Sequence, residues 1–110
     1  MDFVTFKSCQ PVLRAFRGMK LSAALEEAQG WDHLRRLLTY EENDTKYVVA
    51  VRHYHDICSS GERVLLHAVL YATDFAWLAD ELDDGHTWRR FAYVSGAHRD
   101  AVIACLRLID

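Results

Sequence analysis

Apolar residues recur every three to four positions along much of the chain, which is the spacing of one face of an α-helix. The clearest stretch holds Trp31, Leu34, Leu37 and Leu38, and it predicts a helix over residues 31–42. Similar patterns predict helices over residues 11–18, 23–29 and 97–109. In the last of these we expect the following side chains to face the core: Ala101, Val102, Cys105, Leu106 and Ile109.

Capping and turn residues set the expected ends of these helices. Pro11 fits the first position of a helix, where its missing N–H costs nothing, although it could equally follow a short strand that begins at Phe3. Ser22 is the expected N-cap of the helix over 23–29. Gly30 is expected just beyond the end of that helix, where glycine is the preferred residue.

The longest apolar stretch lies between Glu62 and Leu82. Ser59 and Glu62 have the spacing of a capping box, in which each side chain bonds the backbone N–H of the other residue. Neither glycine nor proline interrupts the stretch before residues 83–85, which hold a stop signal. Because apolar residues cover nearly all sides of this segment, we expect one uninterrupted helix over 62–82 at the centre of the fold.

Two segments are compatible with either a helix or a strand. Residues 46–57 are rich in side chains that favour strands, and only the segment that follows residue 61 could pair with them. The resulting alternative is an α+β fold with a hairpin of 46–55 and 62–72, a break at Thr73-Asp74 and a shorter helix beyond. Residues 87–94 form either a short helix or an edge strand.

We predict the all-α alternative, a compact bundle of about five to six helices around the central helix 62–82. A length of 110 residues is typical of one domain, so we expect residues 1–110 to form a single helical domain. The composition is 51% apolar and 26% charged, which is ordinary for a globular protein. A chain of this size can bury enough surface to fold without metal or disulfides.

Charge and cysteine content narrow the possible surroundings of the protein. Thirteen basic and sixteen acidic residues give a net charge of −3, which argues against a nucleic-acid partner, because such affinity comes largely from neutralised phosphates. Cys9, Cys58 and Cys105 are an odd, widely spaced set, typical of a reducing compartment. We therefore expect a cytoplasmic protein. No apolar run is long enough for a membrane span, and no cofactor motif is present.

The densest group of chemically active side chains is His53, His55, Asp56 and Cys58. On a strand, His53 and His55 would point to one face and could chelate a transition metal together with Asp56 or Cys58. On a helix the two histidines diverge by about 200°, and the chelate is lost. These four residues are therefore metal-ligand candidates only if the segment is a strand, and we predict no catalytic residues.

The dipeptide His55-Asp56, followed by Ile57, resembles the metal-binding pair of the HD-type metal phosphohydrolases. The resemblance covers three residues. That family also uses an upstream histidine and a downstream aspartate, for which this chain offers His33 and Asp74. The resemblance implies a small metal-dependent hydrolase, which we keep as the alternative to a non-enzymatic function.

Two polar residues, His67 and Asp74, fall within the predicted central helix. They are seven positions apart and so lie on one helical face. A buried carboxylate must be paired or neutral, so Asp74 is expected to have a partner or to lie at a break. His67 is expected to be a hydrogen-bonded core histidine. If their helix packs antiparallel to the preceding one, both residues could share a site with His55 and Asp56.

Trp88, Arg89, Arg90 and Phe91 combine residue types that carry much of the binding energy at protein interfaces. An acidic cluster at residues 80–84 directly precedes them, so the arginines could instead form ion pairs within the molecule. Because the sequence carries no catalytic signature, we predict a small soluble interaction or regulatory protein. We expect it to bind a protein partner, or a second copy of itself as a homodimer, through these four residues.

Overall fold

The computed structural model of the chain describes residues 1–39 and 43–108. Within these two ranges all regular structure is helical and there is no β-strand. The predicted all-α fold is therefore confirmed, and the alternative hairpin of 46–55 and 62–72 does not form. The helices are α1 (Phe3–Ser8), α2 (Gln10–Gly18), α3 (Ser22–Glu27), α4 (Trp31–Thr39), α5 (Asn43–Ile57), α6 (Ser60–Ala72), α7 (Ala76–Leu82), α8 (Thr87–Phe91) and α9 (Gly96–Arg107).

The described residues contain nine helices, whereas the sequence predicts five or six. The number is higher because the N-terminal residues form α1, because the predicted central helix is divided into α6 and α7, and because residues 87–91, for which a strand was also considered, form α8. The central position of α6 is as expected. Every side chain from Val64 to Leu70 is buried, and α6 contacts α2, α5, α7, α8 and α9.

The prediction of an uninterrupted helix over 62–82 is wrong, because the chain turns at residues 73–75. Asp74 takes a left-handed backbone conformation with φ of 69°. The N–H of Phe75 donates to the carbonyl of Leu70 at 2.7 Å, which is the bonding of a Schellman helix end. Asp74 is exposed, so it lies at a break, one of the two situations expected for it.

Contacts in the core stabilise this break. The hydroxyl of Thr73 donates to the carbonyl of Val69 at 2.8 Å and lies 3.0 Å from the hydroxyl of Tyr47 on α5. The ring of Phe75 is buried and meets the ring of Tyr47 edge to face, with 4.9 Å between the centroids. The turn therefore places an aromatic side chain in the core that a continuous helix would direct elsewhere.

The residues before Pro11 form a helix and not the short strand considered from Phe3. Asp2 caps α1 by accepting a backbone N–H at 2.8 Å. Pro11 lies in the first turn of α2, as predicted. Phe3 and Phe6 pack against Trp31 of α4, with ring centroids 5.0 and 4.6 Å away, so this N-terminal helix is part of the core.

The predicted ends of α3 are wrong on both sides. Ser22 is its first helical residue and not its N-cap, and α3 ends three residues before Gly30. A side chain from α1 explains the early end. The ammonium of Lys7 donates to the carbonyls of Glu26 and Ala28, both at 2.7 Å, and so satisfies acceptors that a helix end leaves without partners.

The capping box that begins α6 is confirmed. Ser59 Oγ accepts the N–H of Glu62 at 3.2 Å, and Glu62 Oε1 accepts the N–H of Ser59 at 3.1 Å. Residues 87–91 are helical, so the edge-strand alternative is also excluded there. None of the described helices is both long and apolar enough to cross a lipid bilayer.

In α9 the predicted inward face is largely correct. Ala101, Val102 and Cys105 are buried, whereas Leu106 is exposed. Ile109 lies outside the described residues, as do residues 40–42 of the predicted helix 31–42. The described part of that helix, α4, buries the three side chains Trp31, Leu34 and Leu38.

Candidate functional site

Helix α8 carries the four residues predicted to bind a partner. Trp88 is 52% exposed and Phe91 is partly buried. Their rings meet edge to face, with 6.4 Å between the centroids. Arg89 is exposed and makes no ion pair with any described residue. The structure therefore brings Trp88 and Phe91 together on one side of α8, whereas Arg89 lies on a different side of this helix.

Arg90 has a different role from its neighbours. Its guanidinium donates to both carboxylate oxygens of Asp84, at 3.0 and 2.7 Å. Such a two-point arginine–carboxylate contact is geometrically well defined. The hydrogen bonds from Arg90 lower the pKa of Asp84 to about 2. The internal ion pairing considered for the arginines thus occurs at Arg90, which fixes α8 to the preceding loop.

A second exposed aromatic ring lies beside Trp88. Tyr71, near the end of α6, is 58% exposed, and together with Trp88 it lines a pocket of about 70 Å³. The carboxylates of Asp80 and Asp83 and the imidazole of His67 also line this pocket. We call Tyr71, Trp88 and Phe91 the aromatic face, and the pocket that Tyr71 and Trp88 line the acidic pocket.

Behind the acidic pocket lies a chain of hydrogen bonds that ends at a buried histidine. The Thr87 hydroxyl donates to Asp83 at 2.7 Å and lies 3.3 Å from Nδ1 of His67. Because the hydroxyl has one proton, which goes to the carboxylate, its oxygen accepts from a protonated Nδ1. Nε2 of His67 is then the unprotonated nitrogen, and it is buried without a partner among the described residues.

A second histidine stacks on the first. The planes of the His55 and His67 rings are inclined by 28°, with centroids 5.6 Å apart. Burial lowers the pKa of both His67 and His55. Nearby carboxylates raise the pKa of each histidine, but by less than burial lowers it. The hydrogen bond from Thr87 lowers the pKa of Asp83. At neutral pH this cluster therefore holds two largely uncharged imidazoles and one carboxylate.

The proposed metal ligands are not brought together. His55 stacks on His67, whereas His53 faces a groove between α2 and α5. Asp56 is exposed, and the Cys58 thiol donates to the carbonyl of His55 at 3.8 Å. The reason is that the segment is helical, which separates side chains two positions apart. Among the residues that the structure describes, no three His, Cys, Asp or Glu side chains could hold one metal ion.

No family model matches the chain. Comparisons with curated proteins and with solved structures likewise give no significant match. The site is therefore interpreted from its own geometry.

Sequence reasoning anticipated some of these residues. The binding role of Trp88, Arg89, Arg90 and Phe91 stays a prediction, whereas the expected approach of His55 to His67 is seen in their stacked rings. Sequence reasoning placed Asp74 in the same group, but Asp74 lines a different cavity, beside Trp31 and Arg35. It missed Tyr71, Asp80 and Thr87, because three separate helices contribute them and no local pattern connects them.

Proposed function

We propose that this chain is a small interaction protein that binds a protein partner through the aromatic face. The observation that carries the proposal is the pair of half-exposed rings, Tyr71 and Trp88, which come from different helices and line one acidic pocket. Tryptophan, tyrosine and arginine are the residues most enriched among those that dominate interface energies. Two exposed aromatic rings that line one pocket are a good anchor site for a partner.

The pocket also indicates what the partner inserts. Two aromatic rings and two carboxylates form a lining that favours a cation, because ring faces and carboxylates both attract positive charge. Asp83 is ionised, as its lowered pKa requires. A volume of about 70 Å³ suits the end of a side chain and not a whole metabolite. We therefore propose that the partner places a lysine or arginine head group between Tyr71 and Trp88.

The test begins by finding the partner at this face. A photo-crosslinking phenylalanine derivative is placed at position 71 in cells of the source organism, and crosslinked proteins are identified. Binding of the purified partner is then measured by calorimetry for the wild type, Trp88→Ala and Trp77→Ala. Trp77 is a matched control because it is 54% exposed, close to the 52% of Trp88.

We expect Trp88→Ala to weaken binding about thirtyfold, equivalent to roughly 2 kcal/mol, with nearly unchanged melting temperature. Trp77→Ala should bind as the wild type does. Equal losses for both variants, or none for either, would contradict the proposal. A large drop in melting temperature for Trp88→Ala would mean that the residue is structural.

Light scattering at several protein concentrations tests the homodimer. If the chain dimerises and the combined change Trp88→Ala with Arg89→Ala abolishes the dimer, the partner is a second copy. The alternative of a metal-dependent hydrolase at His53, His55, Asp56 and Cys58 gains no support from the geometry, since the helix separates these side chains. Less than one equivalent of metal in untagged protein would count against it.

A further inference from the structure

We propose that the groove between α2 and α5 binds a small amphiphilic anion, with a carboxylate or similar head group and an apolar body. The groove has a volume of about 380 Å³, within the range of about 300–1,000 Å³ of small-molecule sites. It lies apart from the aromatic face, and the two sites share no lining residue. The proposal is therefore independent of the protein-binding function.

The sequence builds one wall of the groove as a helical stripe. Lys46, Val49, Ala50 and His53 on α5 follow the spacing i, i+3, i+4, i+7, which places them on one face of the helix, and all four line the groove. Val49 is 62% exposed. Ala50 is partly buried against the core, so Val49 is the exposed aliphatic side chain of this stripe.

The end of α2 builds the opposite wall. Gly18 and the buried Met19 line the groove there. The chain then turns through a Schellman motif, in which the N–H of Leu21 donates to the carbonyl of Phe16 at 2.8 Å. Lys20 occupies the left-handed position of this motif, with φ of 61°. Glycine is the usual residue at that position.

Charge decides the class of ligand. Lys20 and Lys46 both line the groove, and neither makes an ion pair with a described residue. No acidic side chain is among the described residues that line it. Met19, Val49 and Ala50 form an aliphatic part of the lining, which suits the apolar body of a ligand. Ammonium groups form strong bonds with carboxylates, so the two lysines favour an anionic head group.

The ligand class is tested with three probes of equal chain length. Decanoate, decanol and decylammonium are each titrated below their critical micelle concentrations and followed by methyl and amide NMR. We expect decanoate to bind at least tenfold more tightly than decylammonium, with decanol between them. The largest shifts should fall on the methyl groups of Val49 and Ala50. Equal binding of all three, or shifts elsewhere, would overturn the proposal.

Variants separate the head group from the apolar body. Lys20→Gln with Lys46→Gln should weaken decanoate at least tenfold and leave decanol unchanged, whereas Ala50→Phe should weaken both by filling the groove. The control is Arg17→Gln with Arg107→Gln, which removes the same charge from exposed positions outside the groove lining. If this control lost as much decanoate affinity as the double lysine variant, the affinity would come from the overall charge of the protein, and the proposal would be contradicted. The proposal would also be contradicted if the chain formed a dimer that covers the groove. Such a dimer would be broken by Val49→Asp and would persist when decanoate is added.

Discussion

A Cβ atom at Gly18 would lie 2.5 Å from Cε1 and 2.7 Å from Cδ1 of Tyr54. The close approach of α2 to α5 therefore depends on the absence of a side chain at position 18. The Tyr54 ring is buried, and its hydroxyl donates to Glu62 at 2.9 Å. Because Glu62 also closes the capping box of α6, the glycine supports a contact among three helices.

Gly18→Ala should destabilise the protein, although alanine is the better helix former. The Tyr54 ring must shift to admit the methyl group, and its bond to Glu62 shifts with it. We expect the free energy of unfolding, measured in urea, to fall by roughly 1–3 kcal/mol. Gly61→Ala is the control, since a Cβ there meets only His98 Cε1 at 3.7 Å. Equal stabilities for the two variants would refute the tight packing.

The hydroxyl pair of Tyr47 and Thr73 provides a second test. Thr73 donates its proton to the carbonyl of Val69, so its oxygen accepts from Tyr47 at 3.0 Å. Tyr47→Phe removes this bond and should lower the free energy of unfolding by about 1 kcal/mol. Tyr93→Phe, at a residue that is 86% exposed, should have no measurable effect. If both variants unfold at the same urea concentration, the buried bond contributes nothing.

Stability should decline in mildly acidic solution. Folding lowers the pKa of His67 and His55, so the unfolded chain binds protons at a pH where the folded chain does not. Full stability is reached above about pH 6.5, the ordinary pKa of histidine. Below it, stability falls by up to about 1.4 kcal/mol per pH unit for each histidine, until the folded pKa is passed.

Melting temperatures at pH 7 and pH 5 check this pH dependence. His67→Phe removes one of the two groups, so its loss of stability between these values should be smaller than that of the wild type. His86→Gln, at an exposed position, should lose as much as the wild type. Asp83 titrates at lower pH, because its pKa is lowered, and so does not interfere. Identical losses in all three proteins would assign the effect to other groups.

Local sequence signals account for much of the fold. The capping box at Ser59 and Glu62 and the unbroken apolar run after it correctly indicated a central helix. The alternative considered for this region correctly placed a break at Thr73-Asp74. Local signals could not decide between that break and a continuous helix, because the break also involves Tyr47, which is 26 positions from Thr73. The end of α3 likewise depends on Lys7, a residue of another helix.

The candidate site shows the same limit. Residue types alone pointed to Trp88 and Phe91, since a short helix places them together. The acidic pocket needs Tyr71 from α6 and Asp80 from α7, and their positions depend on the turn at residue 74. A sequence pattern that predicted one straight helix could not place them around a common point.

Lys20 and Asp74 each occupy a strained backbone conformation, and replacing the two residues by glycine would affect the groove differently. Both have left-handed φ angles, which cost roughly 1–2 kcal/mol for residues other than glycine. Directed evolution for heat resistance would therefore favour glycine at both positions. At Asp74 the exchange would be harmless to the groove, whereas at Lys20 it would delete a cation beside it. If the groove binds anions as proposed, a variant selected for heat resistance alone should keep its fold and bind decanoate more weakly than the wild type does.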